Sequence, residues 1–160
     1  MICDECKALY EDVGDYAREA KVFQKVRRTD DALICRAIHV DSDTSYRVEV
    51  GENHDIVFIG LYTPDRWLSE SIEADLMIKQ DKIEELLEDE LYDQGFEVTL
   101  PVEHYRDDEM HYVFRSALPL PKSEKLDGEG MIDRTKKVLL AYEAAFRELG
   151  DMTPEDSDFE

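Results

Sequence analysis

The stretch Ser45-Tyr46-Arg47-Val48-Glu49-Val50-Gly51-Glu52-Asn53-His54-Asp55-Ile56-Val57-Phe58-Ile59-Gly60-Leu61-Tyr62 decides the fold. Tyr46, Val48 and Val50 alternate with Arg47 and Glu49. A period of two puts them on opposite faces of one half-buried strand. Residues 56–62 are apolar on both faces, which predicts a central strand or one covered on both sides. The link Gly51-Glu52-Asn53-His54 is short and polar, so the two strands are expected to pair as an antiparallel hairpin.

Working outward, residues 33–40 form another strand-like run, joined to this hairpin through Asp41-Ser42-Asp43. Thr63-Pro64-Asp65 stops the third strand, because proline donates nothing to a ladder. Before these strands, Ile2, Cys6, Leu9, Val13, Tyr16, Ala20 and Phe23 recur four and three residues apart. That stripe predicts a helix over residues 3–26. After them, residues 68–94 read as helical, with Ser69 as N-cap and Ile83, Leu86, Leu87 and Leu91 on one face. Within residues 67–82 the run Leu76-Met77-Ile78 breaks the pattern, so the assignment there is open. Gly95 is a C-terminal stop.

Phe96, Val98 and Leu100 alternate with Glu97 and Thr99 and predict a strand. The chain then runs to Tyr105, turns at Arg106-Asp107-Asp108-Glu109 and returns as a strand over residues 110–118. A polar loop spans residues 122–130. The last helix, over residues 131–149, carries Ile132, Thr135, Leu139, Tyr142, Phe146 and Leu149 at helical spacing, and Gly150 closes it. The fold class is therefore α+β: an antiparallel sheet of about five strands with three helices, in the order α-βββ-α-ββ-α. Residues 1–150 make one domain, and residues 151–160 are an acidic tail expected to be disordered.

The chain has 160 residues, 42% of them hydrophobic, enough for one packed core. Lysine and arginine total 19 against 40 aspartates and glutamates, a net charge of −21. Such a charge repels phosphate backbones and anionic lipid, which excludes nucleic acid and membrane surfaces as partners. No apolar run is long enough to span a bilayer. Met1-Ile2-Cys3-Asp4-Glu5-Cys6 has no apolar leader, and the cysteine number is odd, so a cytoplasmic setting with free thiols is expected.

Cys3-Asp4-Glu5-Cys6 is the one motif with chemical promise. A zinc site would need two more ligands, and Cys35 with His39 offers C-x3-H. On a strand, however, those two Cα atoms stand ~13 Å apart, which makes it hard for both to reach one ion. A redox pair would follow a strand of a βαβ unit, whereas this one opens the chain. Cys6 lies on the apolar stripe of the first helix, so inert thiols are the expectation. His104 and His111 flank the last hairpin, where a cross-strand pair could bind metal; a polar hairpin surface is the expected reading. Glu84-Glu85 and Glu88-Asp89-Glu90 are read as a solvated helix face. Asp41-Ser42-Asp43 lacks the glycine of a calcium loop, and no phosphate-cradling or nucleophile motif occurs. No catalytic, cofactor-binding or metal residue is assigned, and no cofactor is expected.

Tyr112-Val113-Phe114-Arg115-Ser116-Ala117-Leu118-Pro119, a short loop, and then the helix holding Val138, Leu139, Tyr142, Phe146 and Leu149 resemble the end of type III secretion chaperone-like proteins, including their YbjN-type relatives. The element order and the acidity are similar as well. The resemblance implies a small, non-enzymatic protein, dimeric, that binds a protein partner or client. The alternative is a small-molecule-binding domain or enzyme with a pocket between sheet and helices, contacted by Arg36, Arg47, Arg115 and the histidines. A third is an acidic decoy of nucleic acid that binds a basic protein.

Overall fold

The computed structural model describes residues 3–38, 40 and 43–150. The predicted tail, His39 and the Asp41-Ser42 link lie outside the described residues. Among the described residues ten elements follow in order: α1 (Asp4–Ala20), β1 (Phe23–Arg28), β2 (Leu33–Ala37), β3 (Ser45–Val50), β4 (Ile56–Thr63), α2 (Arg66–Lys79), α3 (Ile83–Asp93), β5 (Glu103–Arg106), β6 (Tyr112–Pro119) and α4 (Glu129–Arg147). The strands form one open antiparallel sheet in the order β1-β2-β3-β4-β6-β5. The α+β class holds; the sheet has six strands and there are four helices, one more of each than the sequence predicts.

The register divides the sheet into two faces. Tyr46, Val48, Ile59, Leu61 and Phe114 point to one side and join a core with Leu9, Val13, Leu87, Leu139 and Phe146. Leu68 and Ile72 of α2 belong to the same core, so all four helices cover this side. The other side carries Arg47, Phe58, Gly60, Tyr62, Val113 and Arg115, and no helix of the described residues lies on it. The α4 stripe is buried as predicted and wider than predicted: Val138, Ala141 and Ala145 join it, as a central helix requires.

The extra strand replaces the end of the predicted first helix. Lys21 takes a left-handed conformation (φ = 58°) and ends α1, and β1 begins at Phe23. A bulge shifts the register between Phe23 and Lys25. It puts Phe23 and Val26, three residues apart, on the inner side, which imitates a helical repeat. Tyr16 leaves the predicted stripe for the surface, and Ala17 is buried instead, because a straight helix drifts off a seven-residue repeat.

The second predicted helix is two. Gln80 adopts φ = 58°, and the N–H of Asp81 donates to the Leu76 carbonyl at 3.0 Å, so α2 stops before α3 starts. Asp65, not Ser69, caps α2: its carboxylate accepts from the N–H groups of Trp67 at 2.9 Å and Leu68 at 3.3 Å. Gly95 ends α3 as predicted, with φ = 82° and the Phe96 N–H donating to the Leu91 carbonyl. Phe96 to Leu100 is not a strand. Its alternation buries Leu100, but the segment has no ladder partner; Thr99 and Val102 instead donate to Glu88 and Glu84 of α3. The strand begins after Pro101, at Glu103.

Candidate functional site

Helix α2 buries Leu68 and Ile72, yet apolar residues also lie on its outer side, beside Arg66, Glu70 and Glu73. Trp67, Ala74, Met77 and Ile78 face solvent, with Trp67, Met77 and Ile78 77%, 80% and 79% exposed. Trp67, Ala74 and Ile78 are seven and four residues apart, one helical face running roughly 16 Å. Ion pairs flank it: Arg66 with Glu70 at 2.9 Å and Lys79 with Asp75 at 3.5 Å.

The helix-free side of the sheet is different, because its rings are capped from within the chain. Arg47, Gly60, Arg115 and Glu103 form one row across β3, β4, β6 and β5. The Arg115 guanidinium lies 3.8 Å from the Phe58 ring centroid and 5.2 Å from that of Tyr105, and its Nε donates to Glu103 at 3.2 Å. Arg47 lies 4.8 Å over Tyr62. Only glycine fits between the arginines, since a Cβ on residue 60 would clash with the Phe114 carbonyl oxygen and the Arg115 backbone. Burial raises the Glu49 carboxyl above its usual range, against the pull of Arg115 and Arg47, and pushes the Tyr62 hydroxyl up to about 12. Arg36 on the same side pairs with Asp43 at 2.7 Å.

His104 and His111 do not face each other. His104 pairs with Phe114 on the helix side, its ring 3.7 Å from the Phe114 ring and its Nε2 3.3 Å from the Ser69 hydroxyl. Burial lowers its pKa. His111 lies on the opposite side, edge-on to Tyr62, with Nε2 3.4 Å from an Arg47 Nη and Nδ1 3.4 Å from Asp107. A guanidinium only donates, so Nε2 accepts from Arg47, while among the described residues the buried Nδ1 has no hydrogen-bond partner. Glu109 and Asp107 stand close to this imidazole, and the other Asp107 oxygen accepts from the backbone N–H groups of Glu109 and His111.

At one end of the sheet a polar cleft of about 440 Å³ is lined by Cys3, Cys6 and Tyr10 of the α1 region, Arg47 and Glu49 of β3, and His54 of the β3–β4 hairpin. Tyr10 of the lining donates to the Asp31 carbonyl at 3.1 Å and accepts from the Val50 N–H at 2.9 Å; burial pushes its hydroxyl up to about 12. Cys3 caps α1, its Sγ accepting from the Cys6 N–H at 3.2 Å. Burial raises the Cys6 thiol to about 12, which disfavours it as a nucleophile.

Arg36, Arg47 and Arg115 thus sit on the helix-free side rather than between sheet and helices. Cys35 is sealed in the core, and His39 lies outside the described residues. One donor atom each of Cys3, Cys6 and His54 lies within 4.8 Å of the other two. No sequence signal links that hairpin histidine to the CxxC pair, since the contact is long-range. The outward stripe of α2 did leave a mark, in the irregular Leu76-Met77-Ile78. No helix of the described residues is long and apolar enough to cross a membrane. Comparison of the chain with family models, curated proteins and solved structures finds no match in any of the three.

Proposed function

We propose that the chain is a non-enzymatic protein-interaction module that docks a protein partner on the outward stripe of α2, a second copy of itself being the first occupant. The observation that carries this is the exposure of Trp67, Met77 and Ile78 on a helix whose other side is already committed to the core. Trp is among the residues that most often anchor interfaces, and Met adapts to irregular partners. With −21 charges overall, self-association needs an apolar patch to work against repulsion, and Trp67, Met77 and Ile78 supply exposed apolar surface. The rings on the helix-free sheet side are already covered by Arg47 and Arg115 and offer less. The resemblance to secretion chaperone-like proteins points the same way, toward a cytoplasmic dimer that holds a client.

Light scattering on the native chain and on Ile78→Glu tests this. The native chain is expected to be dimeric, and the variant monomeric with an unchanged circular dichroism spectrum. A native monomer from which pull-down recovers no partner that Ile78→Glu loses would overturn the proposal. The polar cleft favours a second reading, a small-molecule site at Tyr10, Arg47 and Glu49. A metabolite thermal-shift screen without stabilisation would remove it.

A further inference from the structure

We infer that Cys3, Cys6 and His54 form a site for a borderline-soft divalent cation, zinc above all, bound by two thiolates and one imidazole nitrogen. The three donor atoms already lie within 4.8 Å of one another. In a tetrahedral site with bonds of about 2.3 Å to sulfur and 2.0–2.1 Å to nitrogen, donors stand roughly 3.5–3.8 Å apart. The remaining gap is of the order of 1 Å and is within reach of side-chain rotation. Cys6 is fixed on the buried side of α1, while Cys3 is half-buried and His54 exposed on the hairpin, so two of the three can adjust.

The surroundings suit a cation bound by thiolates. Cys3 is the N-cap and Cys6 lies one turn on, which brings both sulfurs to one end of the helix. The Cys6 N–H already points at the Cys3 sulfur, a backbone hydrogen bond of the kind that steadies a metal-bound thiolate. Asp30, Asp31, Glu52 and Glu109 line the same cleft, so its field draws cations in. Magnesium and calcium want oxygen ligands, whereas two sulfurs and an imidazole select zinc. Each thiol gives up its proton on binding, two per ion, and the two thiolates neutralise the charge of Zn²⁺. Three protein ligands leave the fourth position to water or to a carboxylate of the cleft. The cluster of Asp107, Glu109 and His111 carries no such inference, because Asp107 is occupied holding its own turn.

Bound metal would tie the start of α1 to the β3–β4 hairpin. The test uses the full chain, reduced and purified without chelator. Elemental analysis is expected to find about one zinc per chain. Cobalt(II) added to the metal-free protein is expected to give a sulfur-to-metal charge-transfer band. Cys6 is buried and Cys6→Ser risks misfolding, so the decisive variants are Cys3→Ser and His54→Ala, with folding checked by circular dichroism. Each should weaken zinc binding by more than about tenfold, since even changes behind the ligands do as much. Cys35→Ser should bind like the native chain. Zinc should raise the melting temperature of the native protein and not that of His54→Ala. Less than about a tenth of an ion per chain, with no cobalt–thiolate band, overturns the site. So does zinc retained with native affinity in either decisive variant.

Discussion

Gly60 sits where three strands press together, between Arg47 of β3 and Arg115 of β6. A methyl group there meets backbone, not a flexible side-chain end, so the strands must part. Gly60→Ala is expected to destabilise the fold by about 1–3 kcal/mol, the range of an overpacked core, read as a lower urea midpoint at unchanged slope. His104 gives a second prediction at this scale. Its folded pKa is lowered from 6.5 by burial, so below that pH the unfolded chain binds more protons than the native one. The stability it contributes is complete above 6.5 and is lost as pH falls through the folded pKa. Urea titrations of the native chain and of His104→Gln should therefore diverge from about pH 6.5 downward, with the native chain falling faster. Parallel curves would show that His104 does not titrate against its environment.

At the scale of elements, α2 is the one whose existence rests most on its ends. It buries two large apolar side chains, Leu68 and Ile72, and leaves Trp67, Met77 and Ile78 out. Asp65→Ala removes the acceptor for two N–H groups at its start and should cost about 1 kcal/mol. A thermal melt checks it, and a shift no larger than that of an exposed control such as Glu73→Ala would mean water replaces the cap fully. The existence of α4, β3 and β4 is legible in their sequences because each buries a face whose period local geometry dictates. β1 is not, since its bulge spaces Phe23 and Val26 as a helix would. Phe96 to Leu100 misleads in the opposite sense: it alternates and packs, but no neighbouring strand takes up its hydrogen bonds. Period two marks extended chain, and only a partner turns that into a strand.

For the whole molecule, the charge of −21 makes self-repulsion a standing opponent of the compact state. Raising sodium chloride from low ionic strength to a few tenths molar should raise the melting temperature, because salt screens the repulsion between exposed carboxylates. Two carboxyls add a pH term of known sign. Burial raises Glu49 and Glu143 above 4.5 in the folded state, the latter against its pairing with Arg147. The native chain thus holds their protons to higher pH than the unfolded chain does. Their contribution is fullest below 4.5 and is lost as pH rises through the folded values. Glu143→Gln should flatten the decline of stability between pH 4.5 and neutrality seen in urea titrations; an unchanged slope would mean that Arg147 offsets the burial.

By itself the sequence determined the class, the central hairpin, the last helix and the distribution of acid over exposed helix faces, because apolar period and turn residues act over neighbouring positions. Tertiary structure alone decided the rest. It set β1 at the edge through a bulge, turned Met77 and Ile78 outward while Ile72 filled the core, put the two hairpin histidines on opposite sides of the sheet, and carried His54 to the two cysteines at the start of α1. Each of these depends on contacts between residues far apart in the chain. Such contacts form only when the sheet closes and the helices choose a side, and no local pattern records that choice.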